Sequence, residues 1–308
     1  MTILPPYKGC YDGRVGAFYD QLAPASEYVS TAAVHEMRVC LKRLRTFFRL
    51  IGSIDPSFGA DEAFVPARKL FRAAGGVRNL QVLEARAREV STSASLELSE
   101  YYNWLKEKER GEIRRFRRAC RKFDDGFFES AWKGMLPSLE APSGTRARRH
   151  AENRLVALIK EVKTERPARS GVRRLHFLRT RAKEARYVLE ILQECGLATD
   201  EGARLNERLR DVHQSLGRWH DGEIVLDSLR EFRRSRTPGR LVSFKSYAEF
   251  SRLIKERKAA DLAGFEAARA ALRAFLGRGS GRRVLVPPPP PPAAPGSTPE
   301  AGPGPERP

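Results

Sequence analysis

The stretches Val34–Arg45, VHEMRVCLKRLR, and Leu175–Arg186, LHFLRTRAKEAR, lie 141 positions apart and repeat one pattern. His35 falls on His176, Arg38 on Arg179, Lys42 on Lys183 and Arg45 on Arg186, while Val34 matches Leu175 and Met37 matches Leu178. The spacing i, i+3, i+7, i+10 is helical. At about 100° per residue, with His35 at zero, Arg38 lies near ~300°, Lys42 near ~340°, Arg45 near ~280° and Arg49 near ~320°. Met37, Leu41, Leu44, Phe48 and Ile51 occupy a separate arc of roughly 160–240°, and Leu178, Ala182, Ala185, Leu189 and Leu192 fill the same arc in the second copy. Each segment therefore reads as a helix that buries one face and shows a His/Arg/Lys row about 15 Å long on another.

Those rows carry no acid until Glu190, one turn past the second matched set. Exposed helix faces usually mix Glu with Lys and Arg, since opposite pairs at i+4 stabilise and like pairs cost a few tenths of a kcal/mol. Two copies of a self-repelling row point to an anionic ligand.

Working outward, helical patterning runs from about Val15 to Ile51 and recurs near 61–74, 78–91, 95–122 and 126–136. It resumes near 146–165, 171–195, 201–216, 219–236 and 245–277. No window alternates as a strand would, so the expected fold is all-α. Residues 1–12 read as a loose leader, and 137–145 (around PSLEAPSG) as a linker between a first half, 13–136, and a second half, 146–277. Beyond 277 the chain turns Pro-rich (VLV followed by six prolines, 287–292), which favours extended polyproline II, and 278–308 reads as a disordered tail.

Composition sharpens the ligand class. Among 308 residues, 57 Lys and Arg against 38 Asp and Glu give +19 and a pI near 10.3. A field of that sign attracts nucleic acid, anionic membrane or polyphosphate. Arginine predominates, and its guanidinium fork suits phosphate oxygens. Cys10, Cys40, Cys120 and Cys195 are widely spaced, so neither a zinc site nor a disulfide framework is expected, and a reducing compartment fits. No cofactor or metal is expected. No leader-like apolar region or membrane-length run is visible, so the expected location is cytoplasmic.

Two further features bear on the site. Residues 75–83 (GGVRNLQVL) parallel 216–224 (LGRWHDGEI) with a shift of one residue, which puts Arg78 opposite His220, Asn79 opposite Asp221 and Gln81 opposite Glu223. Each reads as a junction between helices, with Asn79 or Asp221 as a cap. Glu112–Lys122, EIRRFRRACRK, puts Arg114, Arg118 and Arg121 on one face and is expected to extend the anion surface. Arg252–Lys258, RLIKERK, alternates sign and reads as an ordinary solvated face, and His150 and His213 lack basic companions at helical spacing.

His-x-x-Arg-x-x-x-Lys-x-x-Arg on a helix, occurring twice, resembles the signature of the CHAD family (conserved histidine α-helical domain), and Arg186-Tyr187-Val188-Leu189-Glu190 and His220-Asp221 strengthen the likeness over about residues 13–277. The resemblance implies two pseudo-symmetric helical bundles around a basic central groove or pore. It also implies inorganic polyphosphate as partner and association with polyphosphate granules. Carried over, the ligand-facing set is His35, Arg38, Lys42, Arg45 and Arg49 with His176, Arg179, Lys183 and Arg186. Asn79 and Gln81 stand where the family usually has acids, and the Glu-x-Glu-x-Lys signature of the CYTH triphosphatase module fused to some members is absent.

An enzyme acting on phosphates usually needs metal-binding carboxylates or an activated nucleophile, and no carboxylate cluster, Walker loop or nucleophile elbow is visible. A non-catalytic role is therefore expected. Nucleic acid is the alternative partner, although no helix-turn-helix, zinc module or aromatic stacking platform can be read. Deleting residues 285–308 should leave the melting temperature and polyphosphate affinity unchanged, because a proline-rich segment of little net charge supplies neither core nor phosphate contacts. A large drop in either quantity would show that the tail docks.

Overall fold

Arg14 and Glu194, 180 residues apart, form a two-pronged ion pair at 2.9 Å on each arm, with Arg14 only 5% exposed. This contact fastens the first helix to the eighth. In the computed structural model, which describes residues 4–140, 144–164, 171–235 and 244–277, the described residues form ten helices and no strand. They are α1 (Leu4–Glu27), α2 (Thr31–Ile54), α3 (Ala60–Ala63), α4 (Val65–Ser93), α5 (Ser99–Arg121), α6 (Phe127–Glu140), α7 (Gly144–Thr164), α8 (Val172–Glu194), α9 (Asp200–Arg234) and α10 (Phe244–Gly277). The expected all-α class holds.

Local chemistry sets several boundaries. Val29, in the left-handed region at φ 53°, turns the chain between α1 and α2, and the Ser30 hydroxyl then caps α2 by accepting from Ala33 N–H. Gly196, at φ +67°, ends α8, with Gly196 N–H donating to Gln193 and Leu197 N–H to Leu192. Thr199 caps α9, whose first turn carries Asp200 and Glu201 and whose last turn carries Arg233 and Arg234, as the helix dipole favours. Arg269 and Arg273 of α10 donate to the carbonyls of Val162 and Lys163 and so close the end of α7.

The apolar arcs read from sequence are core. Met37, Leu41, Leu44, Phe48 and Ile51 of α2, and Leu178, Ala182, Ala185, Leu189 and Leu192 of α8, are all fully buried. Helix α1 packs on α2, α4 on α5, α7 on α8 and α9 on α10. Helices α2, α4, α9 and α8 also touch in that order and back again, which closes a four-helix ring. The expected two halves do not divide the core. The larger cluster draws on α1, α2, α7 and α8 together, and the smaller joins Leu83, Tyr101 and Trp104 to Leu229, Phe232 and Phe250.

Several boundaries differ from the sequence reading. The leader is not loose: α1 begins at Leu4, with Pro5 and Pro6 tolerated in its first turn, and Tyr7 and Tyr11 are 1% and 2% exposed against Phe47. What reads as one helix to Ile51 is two, broken at Tyr28–Ser30. Gly75-Gly76 interrupts nothing, because α4 passes through it, and α9 runs unbroken through Gly217. Neither stretch is therefore a junction, and Asn79 and Asp221 are mid-helix rather than caps. Pro137 lies inside α6, which carries buried Met135 and Leu139, so the linker begins no earlier than 141; residues 141–143, like the tail 278–308, lie outside the described residues.

Tyr11 packs in tilted contact with Phe47 and Trp132 and donates its hydroxyl to the Phe128 carbonyl at 2.7 Å. Tyr11→Ala should therefore cost about 3–5 kcal/mol, the range for emptying a buried aromatic site. Urea unfolding checks this, and an unchanged midpoint would return the segment to the status of a leader.

Candidate functional site

The ring of α2, α4, α8 and α9 gathers positive charge on its facing sides. From α2 come His35, Arg38 and Lys42, from α4 Arg78, and from α8 His176, Arg179 and Lys183. Helix α9 contributes His213, His220 and Asp221. Among the described residues neither Lys42 nor Lys183 lies within ion-pair distance of a carboxylate. Burial, together with Arg38, Lys183, Arg179 and Arg78, lowers the Lys42 amine to about 7. Burial, with Arg179, Arg45 and Arg38 acting against nearby Glu184, lowers Lys183 to about 8. These two lysines, one from each copy of the motif, feel each other directly.

The guanidinium groups are seated by backbone and aromatic contacts. Arg38 lies over the Phe71 ring at 4.2 Å and donates to the Phe71 carbonyl at 2.7 Å. Its Nη1 lies 2.8 Å from where a Cβ on Gly75 would stand, so a larger residue at position 75 would make the guanidinium end shift. Arg179 lies over Gly217 in the same manner, with a looser 4.0 Å separation, and its buried Nε has no hydrogen-bond partner. Burial lowers the pKa of both Arg38, to about 10, and Arg179. Asp221 faces Arg179, Arg86 and Arg78, yet burial holds its pKa above the usual range, and Glu36 lies 3.8 Å from His35 at the end of the row.

The histidines stay neutral. Burial and then Arg78 hold His35 below the usual imidazole range, and burial and then Arg179 do so for His176. His176 packs on His220, with ring centroids 5.1 Å apart, and burial beside Arg179 pushes His220 down to about 4. His213 is pushed to about 3 by burial and by Arg179, Arg186, Lys183 and Lys42, and neither of its ring nitrogens has a partner. Neutral imidazoles and unpartnered guanidinium nitrogens can donate to phosphate oxygens. Among the described residues no three His, Cys, Asp or Glu side chains form a metal-binding group.

Not every residue of the sequence-derived set is free. Arg45 and Arg49 both reach Asp61 of α3 at 3.3 Å, and Arg68 joins them at 3.5 Å. One carboxylate thus serves three guanidinium groups. Arg186 is held by Glu190 at 3.0 Å, and Glu190 also binds Arg43 at 2.9 Å. Arg114, Arg118 and Arg121 are exposed on α5, which packs chiefly on α4. Arg118 lines a groove with Lys69, Arg115 and Lys122, so these residues do not continue the row of α2. The sequence reading missed Arg78 and His213. Their basic neighbours stand on other helices, and spacing along α4 or α9 carries no trace of them; the pairing of Arg78 with His220 was the one available signal.

Taken together, the described residues define an all-helical protein with an undercompensated cationic centre, and none of its helices is long and apolar enough to cross a membrane. The model of the CHAD domain matches residues 15–230, and the chain belongs to that family. The match ends within α9, whereas α10 packs along α9 as part of the same fold. A crystal structure of the CHAD domain from the plant Ricinus communis is similar at a TM-score of 0.68 and 17% identity, covering 89% of this chain and 92% of that one. PptA from Streptomyces chartreusis is similar at 0.59 and 12% identity, covering 85% and 97%. No curated protein sequence matches the chain.

The lysine pair fixes a dependence on pH. An unfolded lysine holds its proton up to about pH 10, whereas the folded apo protein releases both between about pH 7 and 8. Unfolding therefore takes up protons above pH 7, and these groups make stability rise with pH from about 7 to 10. At pH 6 both ammonium groups are charged and their burial costs most. Lys42→Met with Lys183→Met should raise the apo Tm at pH 6 by a few degrees and flatten its rise towards pH 9. Calorimetry in an anion-poor buffer measures this, and a lower Tm for the double variant at pH 6 contradicts the cost of burial.

Proposed function

We propose that the protein binds inorganic polyphosphate at the cation cluster between α2, α4, α8 and α9, without hydrolysing it, and that this binding places it at polyphosphate granules. The observation that carries this reading is the facing pair Lys42 and Lys183, each surrounded by arginines and neither neutralised by a carboxylate. Burying like charges in this way is costly in the absence of a counter-ion, and a chain of phosphates supplies one negative charge after another. Family membership supports the same partner, as do the neutral histidines and the unpartnered Arg179 Nε, which suit phosphate oxygens. The correspondences Arg38–Gly75 with Arg179–Gly217, and Lys42 with Lys183, support a pseudo-symmetric site that grips one chain from both sides.

Affinity for long-chain polyphosphate should fall linearly in log–log terms with salt, since phosphate contacts release counter-ions. Each charge-assisted contact contributes about 1.5–3 kcal/mol, so Lys42→Met with Lys183→Met should weaken binding about 100-fold or more. Arg252→Glu with Lys255→Glu, a larger change of charge on a face where Glu249 and Glu256 already pair with Arg252, should weaken it far less. Titration against polyphosphate and against duplex and single-stranded DNA at matched phosphate concentration decides the matter. Equal losses in both variants would leave only net charge, and tighter binding to DNA would assign the site to nucleic acid.

A further inference from the structure

We infer that the outer face of the α4–α5 hairpin is a second polyanion site, independent of the central cluster, so that one protein molecule holds two runs of phosphate. This rests on the polyphosphate reading for the identity of the ligand. Residues 112–122 carry six cations and one acid. Two of the six are already committed: Arg115 pairs with Glu112, and Arg117 donates to the carbonyls of Ser26 and Glu27. The other four, Arg114, Arg118, Arg121 and Lys122, are exposed and within ion-pair distance of no carboxylate among the described residues, and the same holds for Lys69 and Arg72 on adjoining α4.

The groove between these helices is lined by apolar Pro66, Leu70, Ala119 and Phe123 and by four cations, Lys69, Arg115, Arg118 and Lys122, against one acid, Asp124. Aliphatic stems of Lys and Arg can lie along such apolar residues while their charged ends point outward. The opposite hairpin is a built-in contrast. On α10, Arg252 pairs with Glu249 and Glu256, Arg257 with Glu89 and Lys258 with Glu223. Lys255 lies beside these pairs without a carboxylate within ion-pair distance among the described residues, but it stands next to Glu256, whereas Arg114, Arg118, Arg121 and Lys122 follow one another along α5 with no ion pair among the described residues.

Helix α4 separates the two sites. Phe71, Gly75 and Arg78 face α2, while Pro66, Lys69 and Leu70 face the α5 groove. A long polyphosphate chain can then occupy the centre of one molecule and the outer face of another, which makes the protein a cross-linker of such chains.

The test uses the full chain with short-chain polyphosphate for calorimetric stoichiometry and long-chain polyphosphate for light scattering. The wild type should bind two short chains and scatter strongly with long ones. Arg114→Gln, Arg118→Gln and Arg121→Gln together, all exposed and neutral to folding, should bind one short chain with the tighter affinity kept and lose the scattering. Lys42→Met with Lys183→Met should keep the weaker outer site alone. Unchanged stoichiometry and scattering in the triple glutamine variant overturn the inference, as does loss of both sites in the lysine variant. If the lysine variant instead binds two chains as the wild type does, the central reading fails while the outer site stands.

Discussion

Holding two rows of like charge face to face is the constraint on which this structure depends. Lys42 and Lys183 repel each other and the arginines around them, and that repulsion acts across the contact between α2 and α8. The opposing forces are identifiable. Each helix buries a full apolar arc against α1, α7 and the rest of the core, and each of its Leu, Ile, Met and Phe side chains contributes about 1.5–3 kcal/mol. At one end Glu190 binds Arg43 of α2 and Arg186 of α8 at once, and beside it Glu194 binds Arg14 of α1, which also donates to the Arg43 carbonyl. Acid is therefore present where it joins helices and scarce where the cluster faces inward.

The same division explains the roles of individual arginines. Arg14, Arg43 and Arg186 are structural clips, Arg45, Arg49 and Arg68 share Asp61, and Arg269 and Arg273 close the end of α7. Arg38 and Arg179 differ, since each rests on a glycine and keeps little or no carboxylate company. A residue count cannot separate these classes. Partner geometry does, and it concentrates the functional reading on a handful of side chains from four helices.

How much of this was legible in the sequence follows from what periodicity records. The apolar arcs of α2 and α8 were readable because a 3.6-residue period marks the buried face directly, and all ten of those positions are core. The matched Lys42 and Lys183 were readable for the same reason. Arg78 and His213 were not, because a site assembled from several helices leaves no spacing on any one of them. Asp61 was invisible as a partner of Arg45 and Arg49, since a turn and a short helix carry it back to α2. Local propensity misled where packing overrode it: the glycines and prolines of α1, Gly75-Gly76 and Pro137 all read as breaks, yet neighbouring helices hold them in place.

Gly75 and Gly76 have a mechanical consequence for α4. A glycine in a helix interior costs about 0.5–1 kcal/mol relative to alanine, and two in succession leave about half a turn without side chains to stiffen it. The cationic end of Arg38 presses into that turn from one side and Glu112 approaches it from the other. The weak point of this 29-residue helix therefore lies at its eleventh and twelfth residues, where the arginine rests, and a bend in α4 is expected there rather than in the turns on either side.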